Sequence, residues 1–198
     1  MNNLDSSFYF NQDDIKFDYL KLNLPNRGKV NLEGTLTDAQ KLDMEFYGAH
    51  VDLSLAKTLD SSIKVGGMSD FIGSIHGDID NPQLDLKLSA VDNSQRGGVK
   101  GELFNQNFDS MNVALSGSFD AVNVGLFELE KDGKTQWQVI DGNINLKERK
   151  LNVRLDTVGA RLEDIVDLVA PGQNLTGEID NTIRVHRHAV SLRVQVHD

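Results

Sequence analysis

The chain has 198 residues, 39% of them hydrophobic and only 7% aromatic, enough for one large domain or several short repeats. Its formal net charge is -10, from 30 acidic and 20 basic residues, which argues against nucleic acid and against adhesion to an anionic membrane face. With no cysteine there is no disulfide, no thiolate metal site and no cysteine nucleophile.

No apolar run approaches the ~20 residues of a membrane-spanning helix. Met1-Asn-Asn-Leu-Asp has neither the basic nor the apolar region of a secretion signal. Residues 1 to 14, polar apart from Phe8, Tyr9 and Phe10, read as an incoming edge. Ile15, Phe17 and Tyr19 alternate, and then the parity shifts to Leu20, Leu22 and Leu24. A shift of one residue turns every later side chain to the other face, so a bulge or bend must absorb it. Pro25-Asn26-Arg27-Gly28 is turn chemistry, followed by strands at Val30, Leu32, Leu36 and at Leu42, Met44, Phe46. Val51, Leu55, Leu59 and Ile63 step by four, which predicts a short amphipathic helix ended by Gly66-Gly67.

The stretch from Phe71 to Ala90 states the pattern of the whole chain. Ile75 and Ile79 flank Gly77, Asn81-Pro82 breaks the run, and Leu84, Leu86, Leu88 and Ala90 alternate with Gln83, Asp85, Lys87 and Ser89. Alternation at period two means a strand with one apolar and one wet face. Proline has no amide proton for a sheet ladder, so Asn81-Pro82 marks a turn. A polar turn at Asn93–Gly98 precedes a strand with Val99 and Leu103. Met111, Val113, Leu115 and Phe119 follow, then Val122 and Val124 with a parity shift to Phe127 and Leu129. Lys131-Asp132-Gly133-Lys134 turns the chain towards Val139, Ile144 and Leu146. After a turn at residues 147–150 come Leu151, Val153 and Leu155. Leu162, Ile165, Val166 and Val169 predict a second helix stopped by Pro171-Gly172, before Ile179, Ile183, Val185 and Val190, Leu192, Val194, Val196.

The order repeats. Phe17, Tyr19, Leu22 and Leu24 match Val122, Val124, Phe127 and Leu129, parity shift included, 105 positions further on. Gly48-Ala49 corresponds to Gly159-Ala160, Gly73-Ser-Ile to Gly177-Glu-Ile (or, in a competing register, Gly77-Asp-Ile-Asp-Asn to Gly177-Glu-Ile-Asp-Asn), and Leu84-Asp-Leu-Lys-Leu to Val190-Ser-Leu-Arg-Val. Two units result, residues 15–119 and an incomplete 120–198, each of strands with a short helix. Neither end looks capped, so the chain is expected to be part of a longer protein.

This ordered pattern resembles the repeat region of the AsmA-like family, and within it the TamB-type proteins. The matching residues are Val51-Asp-Leu-Ser-Leu-Ala, Gly73-Ser-Ile-His-Gly-Asp-Ile-Asp-Asn-Pro-Gln-Leu-Asp-Leu-Lys-Leu-Ser-Ala and Leu103. The second unit matches at Leu162-Glu-Asp-Ile-Val-Asp-Leu-Val, Pro171-Gly, Leu175-Thr-Gly-Glu-Ile and Val190-Ser-Leu-Arg-Val, and departs at His186-Arg-His188. The resemblance implies a mainly β, elongated and curved antiparallel sheet folded like an open taco, whose concave apolar face is a groove. It implies a periplasmic segment of a diderm bacterium, in a parent protein anchored in the inner membrane. Phospholipid would pass along the groove towards the outer membrane, with an outer-membrane barrel of the TamA or BamA type as partner. The groove lining would then be Leu84, Leu86, Leu88, Val99, Leu103, Val113, Leu115, Val122, Val124, Ile144, Leu146, Val153, Leu155, Val190, Leu192 and Val194.

Blander readings of the same residues are a β-sandwich core, a structural or adhesive repeat whose faces cover each other, and a chaperone-like groove for unfolded strands. A sandwich core usually carries more aromatic mass than Trp137 and scattered Phe supply. Outer-membrane barrel strands need aromatic girdles and no interposed helices. His186 and His188 lie two apart with only Asp180 and His197 near as further ligands, so they read as solvated histidines. Asp78, Asp80, Glu178 and Asp180 lack the glycine-spaced loop of a calcium site. No Ser-His-Asp order, P-loop or dinucleotide fingerprint is present, so neither an enzyme nor a cofactor is expected.

Overall fold

The computed structural model describes residues 3–10, 14–37, 40–58, 64–103, 106–118, 120–145, 148, 150–157, 160–161, 178–179, 182–188 and 191–197. The first strands are β1 (Asn3–Phe10), β2 (Asp14–Asn23), β3 (Lys29–Thr37) and β4 (Lys41–Asp52). Next come β5 (Val65–Gly66), β6 (Met68–Asp78), β7 (Gln83–Val91), β8 (Glu102–Leu103) and β9 (Gln106–Asn107). The remainder are β10 (Ser110–Ser118), β11 (Ala121–Lys131), β12 (Lys134–Asn145), β13 (Lys150–Thr157), β14 (Ala160–Arg161), β15 (Glu178–Ile179), β16 (Thr182–His188) and β17 (Ser191–His197).

Twelve strands form one antiparallel sheet in the order β1-β2-β3-β4-β6-β7-β10-β11-β12-β13-β16-β17, and it does not close into a barrel. Most neighbours are joined by short turns, whereas β4–β6, β7–β10 and β13–β16 are joined by longer connections. Asp132 (φ 52°) and Gly133 (φ 70°) both take the left-handed conformation that a two-residue hairpin requires. Asn81 donates its N–H to the carbonyl of Asp78 at 3.1 Å, closing the turn before Pro82. Two small sheets stand apart, β5-β8-β9 and β14-β15.

The parity shifts read from the sequence are bulges. β2 slips against β3 between Phe17 and Leu20, and β11 slips against β10 at Gly125, between Val124 and Leu126. Each bulge returns the following leucines or phenylalanine to the face their predecessors occupied, at the expense of one unpaired residue. Tyr19 is thereby sent to the other face, where Lys21 Nζ stands 4.4 Å from its ring centre.

The first predicted helix needs correction. Val51 and Asp52 are the end of β4, and Val51 is buried opposite Ser69 of β6. Among the described residues of this stretch only Leu53–Thr58 is helical, as a 3-10 turn, and Leu53 donates its N–H to Gly67 O at 3.0 Å. The step from Val51 to Leu55 joins the end of a strand, just past a bulge at Gly48–Val51, to a 3-10 turn. Leu59, Ile63, the second predicted helix with Pro171-Gly172, Gly159 and Phe119 lie outside the described residues.

Candidate functional site

Residues directly opposite one another in an antiparallel pair share a face, so the register decides which apolar residues meet. Leu84, Leu86 and Leu88 face Ile75, Gly73 and Phe71 on one side, and Gly117, Leu115 and Val113 on the other. Those three in turn face Val122, Val124 and Phe127. Val122 pairs with Ile144, Gly142 with Val153 and Val139 with Leu155. The backbone register continues the row through Val185 to Val194, with Arg187 opposite Leu192 interrupting it. Towards the N-terminus it runs through Phe46 and Met44, Leu32, Leu20 and finally Leu22 with Leu4. By backbone register, apolar positions therefore predominate along one row of the sheet.

Burial differs along the strands. At one end Ala90, Met111, Leu129, Trp137 and Val153 form a buried cluster with Phe108, and Leu53, Leu88, Leu103, Val113, Phe127 and Val139 pack around it. Phe108 and Leu129 are 0% exposed and Trp137 is 2% exposed. The cover is the small sheet with the loops beside it, a plug across one end of the face. Phe108 N–H donates to Gly101 O at 3.1 Å, and Asp109 N–H to Glu130 O at 2.8 Å, tying this plug to β11. The indole Nε1–H of Trp137 finds no acceptor among the described residues, so apolar packing must outweigh its desolvation.

Beyond the plug the face is half-covered among the described residues, with Val122 the exception at 2% exposed. Leu84, Leu86, Leu115 and Val124 are half-buried, whereas Asp85, Lys87 and Asn123 between them are exposed. No second layer over these leucines is seen among the described residues, so their partial cover comes from same-face neighbours along the sheet. The opposite face is mostly polar, with Tyr19, Tyr47, Leu126, the 49% exposed Val91 and the 64% exposed Ile72 among its apolar exceptions. A shallow depression of about 440 Å³ there runs past Glu45, Ile72, Ser74, Asp85, Lys87 and Ser116.

A charged clasp holds the plug. The carboxylate of Asp109 accepts from Lys131 Nζ, and from the Asp132 N–H at 2.7 Å. The Lys131 contact, then the Asp132 N–H, hold the Asp109 carboxyl below the usual carboxylate range, and Asp109 raises Lys131 in return. Asp92 is lowered by its hydrogen bonds from Ser94, whose N–H lies at 2.6 Å.

Against known proteins, the chain matches no family model, no curated protein and no solved structure. The predicted lining residues Leu84, Leu86, Leu88, Val113, Leu115, Val122, Val124, Ile144 and Val153 occur together on the apolar face. Leu155, Leu192 and Val194 hold register positions that continue it. Val99 and Leu103 do not: Val99 lies outside the strands and Leu103 belongs to the plug, because Glu102-Leu103 pairs with β5 rather than with the large sheet. Leu146 and Val190 lie outside the described residues. Phe108, the most buried aromatic, follows polar Asn107 in a stretch without alternation, so nothing local in the sequence marked it.

Proposed function

We propose that this chain is a non-enzymatic segment of a lipid-transfer bridge, whose open apolar face shelters phospholipid acyl chains on their way between two membranes. The observation that supports it is the row of half-buried Leu, Val and Ile held in register across the sheet. Each methylene moved out of water is worth ~0.8 kcal/mol, so a lipid with two chains of ~16 carbons forfeits on the order of 20 kcal/mol crossing water bare. A continuous apolar trough lowers that barrier without any catalytic group. On this reading the parent protein is of the AsmA-like, TamB type, works in the periplasm of a diderm bacterium from an inner-membrane anchor, and delivers to an outer-membrane barrel partner.

Photo-crosslinking in cells, within the full-length protein, tests this. Probes at Leu86 and Leu115 are expected to capture phospholipid, and probes at Lys87 and Ser116 on the opposite face are not. Absence of lipid adducts from both leucines would sink the proposal. A second reading of the same apolar face is a chaperone-like groove that receives unfolded strands. Protein adducts alone from Leu86 would favour it.

A further inference from the structure

At the plugged end, three loops far apart in sequence meet around a depression of about 680 Å³. The turn between β2 and β3 brings Asn26 and Arg27, and Lys29 begins β3. The bulge of β4 brings His50, and the turn after β7 brings Asn93 and Arg96. No carboxylate lines it, although acidic residues outnumber basic ones 30 to 20 in the chain. The neighbouring acids are already engaged by backbone donors: Asp70 accepts the His50 N–H at 2.7 Å, and Asp92 accepts the Ser94 N–H at 2.6 Å. Arg27, Lys29 and Arg96 are exposed, and among the described residues none of their side chains forms an ion pair. Like charges gathered with no carboxylate in direct contact repel one another, and an anion seated between them relieves that repulsion. Two guanidinium forks match the oxygens of a tetrahedral oxyanion bidentately, and an ammonium adds a point charge.

We propose that this basin is a binding site for a phosphate group, a monoester or diester, held by Arg27, Arg96 and Lys29. It is independent of the apolar face, because none of its cations lies on the apolar row.

The test is a titration of the ¹⁵N-labelled chain with inorganic phosphate, followed by amide shifts. Saturable shifts confined to residues 26–29, 50 and 93–98 are expected in the millimolar range. An Arg27→Ala/Arg96→Ala variant should weaken them by about tenfold or more, while Lys134→Ala, outside the basin, leaves them unchanged. A second arm uses vesicles of phosphatidylcholine with and without phosphatidylglycerol. If the double substitution abolishes phosphatidylglycerol-dependent binding too, the phosphate is a lipid headgroup; if it abolishes only the response to free phosphate, the ligand is soluble. No saturable response to phosphate, or one that survives the double substitution, would overturn the site. Neither result touches the crosslinking from Leu86 and Leu115.

Discussion

Phe46 and Phe71 each lie over the other's neighbouring glycine. Phe46 sits opposite Gly73 and Phe71 opposite Gly48 across the β4–β6 pair, and their ring centres are 6.2 Å apart at a 57° tilt. A side chain on Gly73 would meet the Phe46 ring and the Asp85 carbonyl, both at 2.5 Å. The two rings thus occupy the space over the two glycines, where four bulky residues could not fit side by side. Gly73→Ala is expected to cost about 1–3 kcal/mol in urea unfolding, the usual range for overpacking. Gly125→Ala is the control: the nearest atom to its side chain, Ala114 O, lies 3.8 Å away, and no loss is expected there.

Truncations along the apolar face should differ in cost by position. Phe108→Ala and Leu129→Ala remove fully buried groups, and each should cost about 3–5 kcal/mol. Leu86→Ala removes a half-buried group with no layer seen above it, and should cost roughly 1 kcal/mol. Equal losses at Leu86 and Leu129 would mean that the face is covered along its whole length.

Ser69 is a polar residue placed within the apolar face. It is 1% exposed, and its hydroxyl donates to the Val51 carbonyl at 3.0 Å, on the strand side of the β4 bulge. Ser69→Ala leaves that carbonyl without its side-chain donor, and a loss of about 1 kcal/mol is expected. Ser89→Ala, on the exposed face, should be silent in the same melt.

Acid should loosen the plug first. The carboxyl of Asp109 is held low by Lys131, so its contribution is complete above the ordinary carboxylate value and is lost as pH falls through the lower folded value. The stability difference between the parent chain and Asp109→Asn is therefore expected at neutral pH and should vanish well below pH ~4. The pair is partly exposed, with side chains 30% and 47% accessible, so salt should shrink the difference at neutral pH. A difference that persists at the lowest pH would show that Asp109 acts through something other than its charge.

Local chemistry made much of this molecule readable in advance. Alternation around Leu84, Leu86 and Leu88 defines strand and face, because side chains on a strand point alternately. The parity breaks at Tyr19–Leu20 and Val124–Phe127 demanded bulges, since without them the next leucines would turn to water. Asp132-Gly133 and Asn81-Pro82 marked turns through their own backbone preferences. These are properties of neighbours in the chain.

Whatever depends on pairing between distant segments was not legible. Val51 at a helical step from Leu55 became strand because Ser69 and the sheet edge of β6 were there to receive it. Leu103 was removed from the lining because a two-residue ladder with Val65 satisfied its backbone elsewhere. The burial of Phe108, and the meeting of Arg27, Lys29 and Arg96 around one basin, arise from loops separated by dozens of residues. Period and turn propensity act through adjacent residues and are written in the sequence; which faces are covered, and which charges converge, follows from long-range register and exists only once the sheet has formed.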